Sequence, residues 1–167
     1  MENKKRKDSL DLYYKVNKIT DKIYLGDEEG ARDKKLLNGY GITHILVCGR
    51  DLKKRFKDQF VYHRIEIDDS SREEILEYFE EAFQFIENSK IVYLHCIAGK
   101  SRSPAFVIGY LMWKNKISYK EALDFVKKKR KVIELNSGFE QQLMEFERIL
   151  KDYGSSFTFS KLRNSNE

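Results

Sequence analysis

The sequence predicts an α/β domain, with one central, twisted, mostly parallel sheet flanked by helices. Three observations lead there. Four short runs of β-branched and aromatic residues, IYL at 23–25, THILVC at 43–48, VYHRIEI at 61–67 and IVYLHC at 91–96, have the composition of strands. Ile75, Phe79, Ala82, Phe83 and Ile86 recur at spacings of four, seven, eight and eleven, which puts them on one face of a helix. Strands alternating with helical patterns, followed by three further helices, form the pattern of a layered domain whose parallel strands are joined by crossovers.

Taken in order, residues 1–16 read as a charged extension and 17–152 as the folded domain. Strand 23–25 comes first. Strand 43–48 ends at Cys48, and strand 61–67 runs into Asp68 and Asp69. The 75–86 helix precedes strand 91–96, which ends at Cys96. A helix over 104–114 opens at Ser103-Pro104, with proline in the first turn, where a missing N–H costs nothing and Ser103 serves as N-cap. A helix over 118–130 follows, and Phe139, Leu143, Phe146 and Leu150 mark the last one. Residues 153–167, rich in Ser and Asn, read as a loose tail, and no internal repeat is present.

Composition bounds the class. A chain of 167 residues, 41% hydrophobic, with one proline and nine glycines, is long enough for one buried core and unlike disordered or collagen-like sequences. No stretch approaches the roughly 20 apolar residues of a membrane span, and Met1 is followed by ENKKRKDSLD rather than a signal peptide, so a soluble, cytoplasmic or nuclear protein is expected. Two cysteines are too few for a disulfide framework. The net charge of +5 favours acidic ligands only weakly. The basic runs Lys4 to Lys7 and Lys127 to Lys131 could be a nuclear address or a phosphate-attracting patch; a solvated tail and a cationic helix end that complements the helix dipole are the preferred readings. His44, His63 and His95 with the two cysteines offer no metal-ligand spacing, so no metal or other cofactor is expected.

The stretch LHCIAGKSRSPAF at 94–106 carries the chemistry. Ligands of open α/β sheets bind beyond the carboxyl ends of the strands, where both cysteines fall. Residues 97–102 form a strand-to-helix loop whose N–H groups converge ahead of a positively polarised helix N-terminus, which is an anion cradle. Gly99 permits the tight turn, and Arg102 adds a planar fork able to hold two phosphate oxygens. A thiol in that field ionises readily, so Cys96 is expected as a thiolate nucleophile aimed at the bound anion. Gly99-Lys100-Ser101 ends like a nucleotide-binding loop, but that motif needs a glycine where Leu94 stands.

HCIAGKSRS at 95–103 resembles the signature of the cysteine-dependent protein tyrosine phosphatases, and its flanks resemble the small dual-specificity branch. The likeness extends over roughly residues 17–152, through KITDKIYLGD, GITHILVC, Ile65-x-Ile67-x-Asp69, SRSPAFVIGYLM and Asn136-x-Gly138-Phe139. It implies the dual-specificity phosphatase fold and a metal-independent phosphomonoester hydrolase working through a phosphocysteine. Cys96 then matches the nucleophile, and Ile97, Ala98, Gly99, Lys100, Ser101 and Arg102 the phosphate loop, with Arg102 clamping the equatorial oxygens. His95 matches the histidine that props the loop and helps keep the thiolate, Ser103 the hydroxyl that assists thiolate departure, and Asn136 the asparagine that braces the site. Leu135 stands where the family has a proline.

The substrate ester needs a general acid. Continued alternation from Ile65 and Ile67 puts Asp69 on the apolar side, and the family spacing also selects it, with Asp68 as the alternative. The expected substrate is a phosphoprotein bearing phosphotyrosine or phosphoserine and phosphothreonine. Lys100 keeps open a phosphoinositide or other phospholipid, and relatives that only bind keep open a phosphoprotein-binding module. A monomer without a nucleic-acid partner is favoured. Cys48 shares the sheet rim with Cys96; it is either a small buried hydrophobe or, as in some relatives, a partner in a reversible disulfide.

Overall fold

A computed structural model describes residues 15–163, so the basic run at 4–7 and most of the N-terminal extension lie outside the described residues. The strands β1 (Val16–Lys18), β2 (Ile23–Gly26), β3 (His44–Cys48), β4 (Val61–Ile65) and β5 (Val92–His95) make one sheet in the order β1-β2-β5-β3-β4. β1 pairs with β2 antiparallel, and the other pairings are parallel. The mostly parallel α/β sheet expected from the sequence is present. Successive residues of β3 and β5, from Ile45 to Cys48 and from Val92 to Leu94, are fully buried, so both sheet faces are covered. Late in the chain, β5 slots between β2 and β3, and the crevice at its carboxyl end is where such a sheet opens to a ligand.

Two short helices, α1 (Glu28–Arg32) and α2 (Lys34–Gly39), were not signalled by apolar periodicity. Each is started by an aspartate: Asp27 Oδ1 accepts from Gly30 N at 2.8 Å and Asp33 Oδ1 from Leu36 N at 2.9 Å. A 3₁₀ turn over Ile75–Tyr78 leads into α3 (Phe79–Asn88), and the five apolar residues predicted to share a face are all fully buried. The helix α4 (Arg102–Asn115) differs in kind. All its residues from Arg102 to Met112 are buried, because it lies against β2, β3 and β5 and is packed in turn by α3, by α5 (Tyr119–Lys129) and by α6 (Ser137–Tyr153). Gly109 makes this possible, since a Cβ there would sit 2.7 Å from the Phe79 ring.

The C-terminal end departs from the loose tail that its composition predicts. Residues 153–163 are not a loose tail: α6 runs to Tyr153, a 3₁₀ turn covers Gly154–Ser156, and α7 spans Ser160–Arg163. Phe157 packs on Phe146 (5.9 Å between ring centroids), Phe159 on Trp113 (5.5 Å) and Phe83 (5.8 Å), and Leu162 is buried. Three apolar side chains anchor a segment whose serine content had suggested solvation.

Candidate active site

The strand β5 delivers His95 and Cys96 to the sheet's rim, and α4 begins only six residues after Cys96. Between them, backbone carbonyls are tied down one after another. Cys96 O lies 3.1 Å from His95 Nδ1, which must carry the proton because a carbonyl only accepts. Ile97 O accepts from Glu28 N (3.0 Å), Ala98 O from Arg130 Nη2 (3.1 Å), Gly99 O from Arg130 Nε (2.8 Å), Lys100 O from Glu134 N (2.9 Å) and Ser101 O from Ala105 N (3.0 Å). In a trans peptide, the N–H of the following residue points opposite its carbonyl. The N–H groups of residues 97–102 are therefore turned away from these donors, and no described residue accepts from them. Six donors converging in front of a helix N-terminus make an anion site.

Around this loop lies an open cleft of about 560 Å³ lined by Cys96, Ile97, Ala98, Lys100, Ser101, Arg102, Asp69, Glu134, Leu135 and Asn136. A separate groove of about 440 Å³, beside Trp113, Ile117, Leu150 and Phe157, has neither cysteine nor arginine in its walls. Gly99 has φ +62°, and a Cβ on it would fall 2.4 Å from Gly26 O, so the turn lies flush on the end of β2. Gly49, just past β3, leaves room for the guanidinium of Arg102: a Cβ there would meet Arg102 Nη1 at 2.9 Å. The Arg102 side chain is buried, its Nη1 lies 3.5 Å from Ile67 O, and its Nε has no partner among the described residues.

Ser103 donates from Oγ to Cys96 Sγ at 3.3 Å. It is not the helix N-cap expected from the sequence. That position belongs to Ser101, whose side chain caps nothing in α4 and instead accepts from Asn136 N at 3.0 Å. Asn136 links three parts of the site, because its Oδ1 caps α6 by accepting from Phe139 N and its Nδ2 donates to Asp69 Oδ1, both at 2.9 Å. Asp69 thus lines the cleft, whereas Asp68 faces Arg50 (3.8 Å). Asp69 does not lie in strand alternation with Ile65 and Ile67, since β4 ends at Ile65 and a turn with Ile67 N bonded to Ile65 O follows.

Burial lowers the pKa of His95 to about 4, so its ring is neutral at pH 7, stacked on Tyr93 at 5.5 Å. Burial also pushes the Cys48 thiol well above its ordinary value, with repulsion from the neighbouring Cys96 adding to it; both cysteines are free thiols. Among the described residues, no group of three or more His, Cys, Asp or Glu side chains could hold a metal ion. No described helix is long and apolar enough to cross a membrane.

Sequence reasoning missed Arg130. It had been read as part of the cationic end of a helix, but it is 1% exposed and reaches back under the loop, while Lys127, Lys128, Lys129 and Lys131 stay exposed. The one available signal was a lone arginine among lysines.

The family model described as "Dual specificity phosphatase, catalytic domain" matches residues 23–149. Dual specificity protein phosphatase 1 of Arabidopsis thaliana is 36% identical over 141 residues, covering 82% of this chain and 71% of the relative. Dual specificity protein phosphatase 19 of Mus musculus is 38% identical over 142 residues, covering 83% and 64%. Among solved structures, the human tyrosine phosphatase-like serine/threonine/tyrosine-interacting protein superposes with a TM-score of 0.79 at 32% identity, covering 82% of this chain and 98% of that one. From the family match across β2 to β5 and the loop that carries Cys96 and Arg102, the chain belongs to the dual-specificity phosphatases, hydrolases of the cysteine-dependent protein tyrosine phosphatase class that act on phosphoproteins.

Proposed function

We propose that the domain, residues 17–152, hydrolyses phosphotyrosine and phosphoserine or phosphothreonine esters of proteins through a phosphocysteine on Cys96. The observation that carries this is the cradle: the N–H groups of residues 97–102 are left without described acceptors around a cleft that Cys96, Arg102 and Asp69 share. Phosphate oxygens take those N–H groups and the Arg102 guanidinium as donors, which stabilises charge as it spreads over them in the transition state. Sγ of Cys96 attacks phosphorus, the ester P–O bond breaks, and Asp69 gives its proton to the departing oxygen. In the second step Asp69 takes a proton from water, the water oxygen bonds to phosphorus, and the S–P bond breaks as the Ser103 hydroxyl supports the leaving thiolate across its 3.3 Å contact. His95 is a neutral prop that aims the Cys96 carbonyl, and Asn136 holds Asp69 against the loop.

Proteins suit this cleft better than phosphoinositides. Lys100 is exposed at the rim, but the exposed Glu134, whose backbone N–H is bonded to Lys100 O, sets a negative charge on the same rim, against a polyanionic headgroup. The cytoplasm or nucleus suits a nucleophilic thiol, which survives where disulfides are kept reduced. A monomer meeting its phosphoprotein without nucleic acid completes this reading.

The test is Cys96→Ser beside the parent, with an aryl phosphate, phosphotyrosine and phosphoserine peptides, and a phosphoinositide. The parent should turn over the aryl phosphate and the peptides, and the variant should bind phosphate but turn over nothing. Undiminished hydrolysis in the variant would end the proposal, and a parent that binds phosphopeptides without turnover would leave only a binding module.

A further inference from the structure

We infer that Arg130 is a positioning residue for the phosphate cradle, holding two of its N–H donors in place from the side of the loop opposite the bound anion. The guanidinium donates from Nε to Gly99 O (2.8 Å), from Nη2 to Ala98 O (3.1 Å) and from Nη1 to Asn17 Oδ1 (2.8 Å). Each carbonyl held rearward turns the next residue's N–H forward, so Arg130 sets the directions of the Gly99 and Lys100 donors. Among the described carbonyl contacts of the loop from Cys96 to Ser101, these two are the pair held by a side chain from outside the motif.

The geometry requires a planar fork. Nε and Nη2 lie along one edge of the guanidinium and reach two successive carbonyls, which a single ammonium cannot do with the same directions. Gly99 at φ +62° turns the chain so that both carbonyls face the same way, and a Cβ on Gly99 would sit 2.5 Å from Arg130 Nη2. The side chain is 1% exposed, with Asn17 of β1 gripping its far edge, so its position is set by packing rather than by solvent. Asp27, Tyr93 and Cys96 lie within electrostatic reach of this buried cation, which places a positive charge behind the thiol as well as beneath the loop.

This inference rests on the phosphatase reading for its kinetic arm and on anion binding alone for the other. Arg130→Met and Arg130→Lys are compared with the parent for melting temperature, kcat and KM on an aryl phosphate, and affinity for inorganic phosphate by calorimetry. Loss of one preorganised donor in such a site lowers kcat by about 10²–10³-fold, so Arg130→Met should fall by at least about 100-fold and bind phosphate about tenfold more weakly. Arg130→Lys, which keeps the charge and one bond, should recover part of both. A folded Arg130→Met with parental kcat and phosphate affinity overturns the inference, as does lost turnover with unchanged phosphate affinity, since a cradle still in place binds anions. Should the methionine variant fail to fold, the lysine variant decides: parental phosphate binding overturns the inference and clearly weakened binding supports it. A parent with no turnover refutes the phosphatase reading, and the calorimetry still tests Arg130.

Discussion

Asn136→Ala removes two bonds of different kinds, and their consequences separate. The first is the helix cap on Phe139 N at 2.9 Å, whose loss costs about 1 kcal/mol. The second is the 2.9 Å bond to Asp69, which is solvent-exposed and so adds no more than about 0.5 kcal/mol to stability. The sum, about 1.5 kcal/mol, lowers the melting temperature of a domain of this size by roughly 3–6 °C. The backbone bond from Asn136 N to Ser101 Oγ does not depend on the side chain and should persist. The catalytic consequence comes from Asp69 alone. Released from a bond of about 0.5 kcal/mol, its carboxyl spends about twofold less time in the productive orientation, and only substrates that need its proton suffer. Turnover of a phosphoserine peptide should therefore fall about twofold further than that of p-nitrophenyl phosphate. Asn136→Ser isolates the two effects, because serine caps as well as asparagine but does not reach Asp69. It should melt near the parent and keep the substrate-dependent defect. If Asn136→Ser matches the parent on both substrates, or Asn136→Ala slows both equally, the bond to Asp69 has no part in proton transfer.

Asp69→Asn should slow a phosphoserine peptide by about 10²–10⁴-fold and an aryl phosphate with an acidic leaving group far less; equal losses would move the acid elsewhere, and the same contrast appearing in Asp68→Asn would assign it there. His95 gives a pH signature: with its folded pKa depressed to about 4 from an ordinary 6.5, the unfolded chain binds the proton first, so stability is full above pH 6.5 and falls as pH drops toward 4. Urea titrations at pH 7, 5.5 and 4 should show the parent losing about 3 kcal/mol more than His95→Asn over that range, and parallel curves would mean that the ring is not held neutral.

What could be read from the chain was what its neighbours in sequence decide. The strands around Leu46 and Leu94 and the helical face of Phe79 and Phe83 follow from local apolar pattern, and the structure buries these residues fully. The motif from His95 to Ser103 was legible because the loop's residues are contiguous. β1 was not, because Val16–Lys18 has no pattern of its own and becomes a strand only against Tyr24, Leu25 and Gly26. The helices α1 and α2 lack apolar periodicity, and Asp27 and Asp33 were the cap signals available. Only the N-cap reading of Ser103 fails, because the helix does not start at its proline; it begins earlier, at Arg102, and Ser103 faces the thiol. Arg130 was hidden by its surroundings, since its burial depends on Gly99 and Asn17, which no local window contains.

The bond between Arg130 and Asn17 joins residues 113 positions apart, and the one to Gly99 spans another 31. Closing contacts over such separations costs chain entropy that local turns do not, and they form once intervening structure has brought them near. A chain that has built its helices but not yet docked its first strand therefore has the signature residues without a finished cradle. In refolding, recovery of phosphate affinity should lag signals from the helices, and the site would then serve as a gauge of whether the two distant parts of the chain have met.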